Sequence, residues 1–504
     1  MKNENPFRKN QEVTLLIDGM TNEGQGVGHL NGVAFFVPET VVGETVTAHI
    51  IKVEKRYCVA KRMGVVTPAA CRIEPCCEAF SVCGGCTLQH MTYEEQLNQK
   101  RAFVVDALER LGGFRGVSVN PVLGMDDPWR YRNKGSFPFG EVEGTVAFGF
   151  YAPRSHRLIP LSDCPIQSEP VTAAARQIAA WANRFHVPVY DEETEKGTLR
   201  ACMIRETSGH RVMAVVVTKG PLPHEQELIR AMRSVDSLYH NRNDRKTNVL
   251  LGDRFRLLNG EPTLTEMQNG LAFEVSPQSF LQVNPSQTAV LYRKAIELLD
   301  PKPDETIFDL YCGIGTISLQ IARGAKSVIG IECVPKAIED AKANADRNGL
   351  KNTDFLCDLS ERALPVLLKQ GIQPDAIVLD PPRKGCEPQV LEAIAESENI
   401  QAEQNDYEAE ILLIAAQAGE SPRRVRAQIE KNGSEDALRN QIIERKVINM
   451  IMESAEFVEV PYVMEELNEE AVDRAAGAPE QSEIPEVTEE EAKEAARAAA
   501  QAKA

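Results

Sequence analysis

The chain has 504 residues, with 56 lysines and arginines against 74 aspartates and glutamates, a net charge of −18. That length implies several domains, and no apolar run approaches the roughly 18–20 residues of a membrane-spanning helix. The charge is unevenly spread. Residues 395–504 hold 11 basic and 26 acidic side chains, leaving 45 basic and 48 acidic, a net of −3, for the first 394. Whole-chain acidity is therefore no argument against a nucleic-acid partner. The first ten residues are polar, without the apolar core of a leader, so a cytoplasmic protein is expected. Its twelve cysteines then point to metal, cluster or catalytic thiols rather than disulfides.

Residues 11–64 read as a small β-barrel. Val13, Leu15 and Ile17 alternate along the chain, as do Val33, Phe35 and Val37, and then Val46, Ala48 and Ile50. This is the period of half-buried strands. Gly24, Gly26 and Gly28 punctuate a loop, and Lys52, Lys55, Arg56, Lys61 and Arg62 make one end basic. Composition alone fits a barrel with a merely solvated rim equally well. The stretch resembles the TRAM domain, an OB-like RNA-binding module, and the resemblance implies RNA binding by residues 8–66.

Cys77-x5-Cys83-Gly84-Gly85-Cys86 follows, with Cys164-Pro165 far downstream. Three cysteines this close around a Gly-Gly turn can wrap one metal centre, and a distant fourth completes four thiolates. Spacing leaves three readings open: unrelated buried thiols, structural zinc, or an iron–sulfur centre, where cysteine before proline is familiar. Cys71 and Cys76 fall outside the spacing. Residues 67–270 read as an α+β region. A helix is expected over Tyr93–Leu111, with Leu97, Val104, Leu108 and Leu111 on one face and Gly112-Gly113 as its stop. Trp129-Arg130-Tyr131-Arg132-Asn133-Lys134 interleaves aromatic and basic residues. Such a run grips phosphates and stacks bases, or is a strand with a solvated basic face. Arg130, Arg132 and Lys134 are its candidate RNA contacts, and Arg154, His156 and Arg157 add charge before Cys164. Leu199–Glu206 and Arg211–Thr218, joined by Thr207-Ser208-Gly209-His210, predict a β-hairpin.

Gln282-Val283-Asn284-Pro285 leads into a predicted helix from Gln287 to Leu299. Four short β-rich runs then end at Asp309, Glu332, Asp358 and Asp380, with helical patterns between them. That describes a parallel sheet whose loops lie at the strands' carboxyl ends, where open α/β sheets bind ligands. Gly313 and Gly315 allow close approach of backbone to a ligand. Their spacing is short for a dinucleotide fingerprint and fits an S-adenosylmethionine pocket better. In that fold the glycine loop faces the methionine part, and Glu332 takes both ribose hydroxyls. Alone, Gly313 reads as a tight-turn glycine and Glu332 as a surface acid; a carboxylate at each successive strand end makes the set specific. Asp380-Pro381-Pro382-Arg383 fixes an extended turn beside the pocket.

Residues 11 to about 390 resemble the RNA uracil-C5 methyltransferases, in the branch that carries an iron–sulfur cluster and a TRAM domain. The resemblance rests on Cys77, Cys83, Cys86 and Cys164, on Tyr131-Arg132-Asn133-Lys134, on Ser279-Phe280-Leu281-Gln282-Val283-Asn284, on Asp309-Leu310-Tyr311-Cys312-Gly313 and on Asp380-Pro381-Pro382-Arg383. It implies that Gln282, Tyr311, Gly313, Glu332 and Asp380 bind S-adenosyl-L-methionine, with Asp358 near the adenine. It further implies that the four cysteines hold a structural [4Fe-4S] cluster, that residues 271–394 are the methyltransferase domain, and that 23S ribosomal RNA is favoured over transfer RNA.

The pattern then breaks. Uracil C5 is a poor nucleophile. In the resembled family a cysteine thiolate adds to C6 so that C5 can attack the methyl group, and a glutamate removes the C5 proton. The family's Ser-Cys-x-Pro-x-Thr-Leu segment has no counterpart, and no cysteine follows Cys386, the one thiol just beyond the Asp380 loop. From about 395 the chain turns Ala/Glu-rich. Helices are expected over Glu403–Ala418, from the Ser421-Pro422 cap to Asn432-Gly433, from Ser434 through Leu438, Ile442, Val447 and Ile451, and after the Thr488–Glu491 capping box. Ile400–Val460 resembles the C-terminal arm of trigger factor, a ribosome-associated chaperone, through Gly419–Arg426 and Leu438–Arg445. This gives a helical segment over 395–463, and residues 464–504 have the composition of a disordered acidic tail. The expected multidomain architecture is an OB-like barrel, an α+β insert with a cluster site, a Rossmann-like α/β domain ending after its fourth strand, and an all-α extension, an apparent chimera. Two function classes follow: an RNA methyltransferase lacking its uracil-activating half, and a non-catalytic RNA-binding or ribosome-associated protein.

Overall fold

In this computed structural model the described residues are 5–153, 155–247, 249–382, 385–397, 402–418, 421–432, 438–439, 442–443 and 445–446. They fall into two compact units divided between Pro262 and Thr263. Arg154, Arg383, Lys384, Gly419-Glu420, Ser434, Val447, Ile451 and the acidic tail lie outside them.

In the first unit, β1 (Glu12–Met20), β2 (Gly26–Leu30), β3 (Val33–Val37), β4 (Thr45–Val53) and β5 (Tyr57–Thr67) close into a barrel in the order β1-β2-β3-β5-β4. The alternating Val13, Leu15, Ile17, Val33, Phe35, Val37, Val46, Ala48 and Ile50 fill its core, as their period requires. Buried Glu44 ties the barrel to the next segment: it accepts from Val41 N (2.9 Å) and pairs with Arg72. The predicted Tyr93–Leu111 helix is α1 (Tyr93–Asp106) continued by a π-helical turn at Ala107–Leu111, with Gly112 as its cap.

A seven-stranded sheet follows. It comprises β6 (Lys134–Val142), β7 (Thr145–Tyr151), β8 (Leu158–Pro160), β9 (Leu199–Glu206), β10 (Val212–Thr218), β11 (Ser237–Arg242) and β12 (Arg254–Gly260), in the order β12-β11-β10-β9-β6-β7-β8. The expected hairpin is β9–β10. Helix α2 (Glu169–Arg184) packs Val171, Ile178 and Trp181 onto the sheet beside Phe137, Ile204 and Val216, and α3 (Glu225–Ala231) adds Leu228.

The second unit opens with the hairpin β13 (Leu264–Gln268) and β14 (Leu271–Val275), then α4 (Pro285–Leu299). The expected domain boundary at 270 would cut this hairpin. It belongs here because Asn344 and Asn348 accept from the backbone N–H groups of Glu274 (2.8 Å) and Ala272 (2.9 Å). The chain then alternates β15 (Thr306–Leu310), α5 (Ser318–Ile321), β16 (Ser327–Glu332), α6 (Pro335–Arg347), β17 (Thr353–Cys357), α7 (Ser360–Lys369), β18 (Ala376–Leu379) and α8 (Pro388–Ser397). The four strands are parallel, in the order β17-β16-β15-β18. Among the described residues β18 has one neighbour, and its side chains are only partly buried. Ile411 and Ala415 of α9 (Gln404–Ala418) and Val425 of α10 (Pro422–Asn432) share a separate small core with Leu438 and Ile442. No helix among the described residues is long and apolar enough to cross a membrane.

Candidate functional site

The sheet of the second unit brings the predicted carboxylates to one end. Asp309 is buried within β15, one residue before the strand's end. Its Oδ2 accepts a hydrogen bond from Ser318 Oγ, and its Oδ1 has no hydrogen-bond partner among the described residues. Burial pushes this carboxyl up to about 7, with Asp380 and Glu332 adding to the rise and Ser318 opposing it. The chain next turns through Tyr311, Gly313 and Gly315, with φ of 66°, 56° and 82°. Gly313 N donates to Glu332 Oε2 (3.2 Å) and Val334 N to Glu332 Oε1 (3.0 Å), which fixes the carboxylate at the mouth of the glycine loop. A Cβ added at Gly313 would meet nothing within 4 Å, so open space lies beside the backbone there. At Gly330 a Cβ would lie 2.6 Å from the Phe355 ring, which therefore packs directly on β16.

The Gln282 loop leads into α4. Ser279 Oγ donates to Asp340 Oδ2 (3.2 Å) and accepts from Ser276 N (2.9 Å), and Asn284 caps α4 by accepting from Gln287 N (3.1 Å). Gln282 is half-buried, and the buried Tyr292 hydroxyl lies 3.4 Å from Thr316 Oγ1. Asp380 is exposed at the end of β18. Asp358 follows β17, and its N–H donates to Glu332 O (3.1 Å). Its carboxylate, however, accepts from Arg362 Nε (2.9 Å) and Leu359 N (2.8 Å). Cys386 packs with Tyr311 in the core beneath α8. Burial raises its thiol pKa; an activated thiol needs the opposite shift. Ser318, which bonds Asp309, and Phe355, which packs on β16, lie at these strands without having been singled out by pattern. The unpartnered Asp309 oxygen, the open space at Gly313 and the Glu332 acceptor suit a ligand with an ammonium group and vicinal hydroxyls.

In the first unit, Cys77, Cys83, Cys86 and Cys164 line one cavity of about 160 Å³, together with Phe80, Phe150, Leu161 and Arg132. The Cys77–Cys86 loop is folded by Phe80 N donating to Cys77 O (3.0 Å) and Cys83 N to Ala79 O (2.7 Å). Burial pushes the Cys83, Cys86 and Cys164 thiols up; a bound metal would reverse that. Among the described residues no group of three His, Cys, Asp or Glu side chains is set to hold one metal ion. The three predicted RNA contacts separate. Arg130 is engaged: it donates to Asp163 Oδ1 (3.0 Å) and Oδ2 (2.6 Å) and to Cys164 O (3.0 Å), which fixes the Cys164 turn. These bonds hold the Asp163 carboxyl down at about 2. Arg132 lines the cysteine cavity. Lys134 is half-buried in β6 opposite Arg205, and burial, then Arg205 and Arg132, push its ammonium down to about 8.

Comparison with known proteins matches a TRAM-domain model over residues 6–61 and a methyltransferase-domain model over residues 301–418. The model for the bacterial trigger factor C-terminus matches residues 389–453. The chain is similar to a solved structure, the Pyrococcus abyssi tRNA (uracil-54, C5)-methyltransferase in complex with S-adenosyl-L-homocysteine. The TM-score is 0.61 at 26% identity, covering 76% of this chain and 87% of that one. An RNA methyltransferase of Halalkalibacterium halodurans is 42% identical over 400 residues, 78% of this chain and 87% of the relative. With an RNA methyltransferase of Clostridium tetani the identity reaches 47% over 401 residues, 78% of this chain and 87% of the relative, and the chain therefore belongs to the RNA methyltransferase family.

Proposed function

We propose that the chain is an RNA uracil-C5 methyltransferase by descent that holds the methyl donor but lacks the groups that activate uracil. The carrying observation is the strand-end pocket, in which Asp309, the open Gly313 backbone and Glu332 converge. S-Adenosyl-L-methionine, when bound, supplies an electrophilic methyl on a sulfonium. Glu332 would accept the ribose hydroxyls, Gln282, Tyr311 and Asp380 would bound the methionine end, and Asp358 would flank the adenine through the β17 turn. The uracil-54, C5 activity and the S-adenosyl-L-homocysteine of the Pyrococcus enzyme support this reading.

The activating half would lie beyond β18. The match to the relatives covers 87% of their length but 78% of this chain, and the trigger-factor match begins at residue 389. No cysteine follows Cys386, whose raised pKa leaves it a poor nucleophile. The TRAM barrel, Arg132 and Lys134 would carry the RNA. Ribosomal RNA is the favoured substrate class on the family resemblance, although the solved relative acts on transfer RNA. In the cysteine cavity four thiols without carboxylate or histidine suit a [4Fe-4S] cluster that would tie the 77–86 loop to the Cys164 turn. The second reading, a non-catalytic ribosome-associated RNA binder, draws on the trigger-factor match.

Calorimetric titration with S-adenosyl-L-homocysteine tests the pocket. Saturable binding by the native chain, weakened at least about tenfold in Glu332→Gln by loss of a charge-assisted acceptor, is expected. No binding by the native chain overturns the reading.

A further inference from the structure

One face of α6 holds two separate segments of the proposed methyl-donor pocket. Asp340, Asn344 and Asn348 follow one another at intervals of four, which places them on that face. Asn344 is fully buried. Its Oδ1 accepts from Glu274 N in β14 (2.8 Å), and its Nδ2 donates to Ile314 O in the glycine loop (3.2 Å). One turn earlier, Asp340 Oδ2 accepts from Ser279 Oγ (3.2 Å) in the segment that runs from β14 to Gln282. One turn later, Asn348 accepts from Ala272 N (2.9 Å) and donates to Ala272 O (2.8 Å). Neither of these last two bonds reaches the glycine loop.

A buried amide must satisfy both its oxygen and its nitrogen. Asn348 does so on β14, whereas Asn344 divides its two ends between β14 and the glycine loop. The carbonyl it holds belongs to Ile314, between Gly313 and Gly315 at φ of 56° and 82°, where the backbone has most freedom. Gly315 N donates to Cys312 O (3.0 Å), so the peptide unit joining Ile314 to Gly315 is fixed at both ends. The loop's other hold, Gly313 N on Glu332 Oε2 (3.2 Å), uses a carboxylate that the proposed ligand would itself engage. The Asn344 bond lies in the interior and does not compete with a ligand.

We propose that Asn344 is a positioning residue that sets the glycine loop against the Gln282 segment for the amino-acid end of the methyl donor. This inference rests on the pocket reading above. The nucleoside end, bounded in that reading by Glu332 and the β17 turn, takes no support from the Asn344 amide. Removing the amide therefore weakens ligands that carry the amino-acid part and spares those that lack it.

The test is calorimetry of the full chain and of Asn344→Ala with two probes, S-adenosyl-L-homocysteine and 5′-methylthioadenosine, which lacks the amino-acid part. The variant is expected to lose about three- to tenfold in affinity for S-adenosyl-L-homocysteine, the scale of one hydrogen bond, with methylthioadenosine affinity unchanged. Asn348→Ala, which frees β14 without touching the glycine loop, is expected to lower the unfolding midpoint and leave both affinities unchanged. Ser279→Ala, which releases the Gln282 segment from Asp340, is expected to show the selectivity of Asn344→Ala with a smaller loss, and it serves should Asn344→Ala fail to fold. Native affinity for S-adenosyl-L-homocysteine in Asn344→Ala, or in Ser279→Ala where that variant stands in, overturns the inference. So does an equal loss for both probes, or the same selective loss in Asn348→Ala, either of which would mark the contacts as purely structural. A native chain that binds neither probe overturns the pocket reading together with this inference, an outcome distinct from the others.

Discussion

The cysteine cavity is walled by Phe150 of β7 and Arg132 beside β6, in a sheet whose strands β9 and β10 are flanked on both sides. The strand-end pocket of the second unit sits on four strands, and β18, which leads to Asp380, is flanked on one side among the described residues. The pocket's firmest parts, Asp309 and Glu332, come from the two inner strands β15 and β16. A parallel sheet is normally buried on both faces, so the second unit is best defined at its centre and weakest at β18. Among the described residues, the carboxylates of the proposed pocket thus divide between the sheet's well-covered centre, Asp309 and Glu332, and its less covered edge, Asp380.

The largest effect should come from the cysteine cavity. Cys164→Ser removes one of the four thiols that line it, and the broad visible absorption expected of anaerobically purified protein should vanish, while S-adenosyl-L-homocysteine binding by the second unit persists. Loss of both would break the contrast between the regions. Next is the pH dependence centred on Asp309. Its carboxyl is raised from 3.8 to about 7, so the folded state prefers it neutral. The stability it contributes is complete below the unfolded value near pH 4 and is lost as pH rises through about 7. Asp309→Asn stays neutral and should gain on the native chain by up to about 4 kcal/mol between pH 4 and 8, as urea unfolding at the two pH values would measure. Parallel profiles would contradict the assignment.

A smaller loss is expected where the sheet centre is overfilled. Gly330→Ala forces a methyl to 2.6 Å from the Phe355 ring and should destabilise the second unit by about 1–3 kcal/mol, read as a lower unfolding midpoint for that unit alone. The smallest effect belongs to the open edge. Leu379 is 38% exposed whereas Leu310 is fully buried. Leu379→Ala should cost less than about 1 kcal/mol, against about 2–5 kcal/mol for Leu310→Ala. Similar costs would mean that β18 is covered as completely as β15.

Much of this was legible in sequence because it is periodic or local. Alternation in Val13–Ile17 and Val33–Val37 placed the barrel, and acids ending successive β-rich runs placed Glu332 and Asp380 at one end of a sheet. The thiol spacing anticipated four cysteines around one cavity. What was illegible depends on partners far apart in the chain. Arg130 read as an RNA contact, but its charge is met by Asp163, 33 residues on. Asp358 marked the right strand end, yet Arg362 one turn later takes its carboxylate. The expected boundary at 270 cut the β13–β14 hairpin because the anchors of β14, Asn344 and Asn348, lie 70 and 76 residues later.

The central claim, a methyl-donor pocket without a uracil-activating thiol, is tested most directly with RNA containing 5-fluorouridine. In the resembled family that base traps the enzyme, because the fluorine at C5 cannot leave as a proton does. Incubated with S-adenosyl-L-methionine and run on a denaturing gel, the native chain should migrate free of RNA. A stable covalent protein–RNA adduct would contradict the account, and its disappearance in Cys386→Ala would identify the thiol responsible.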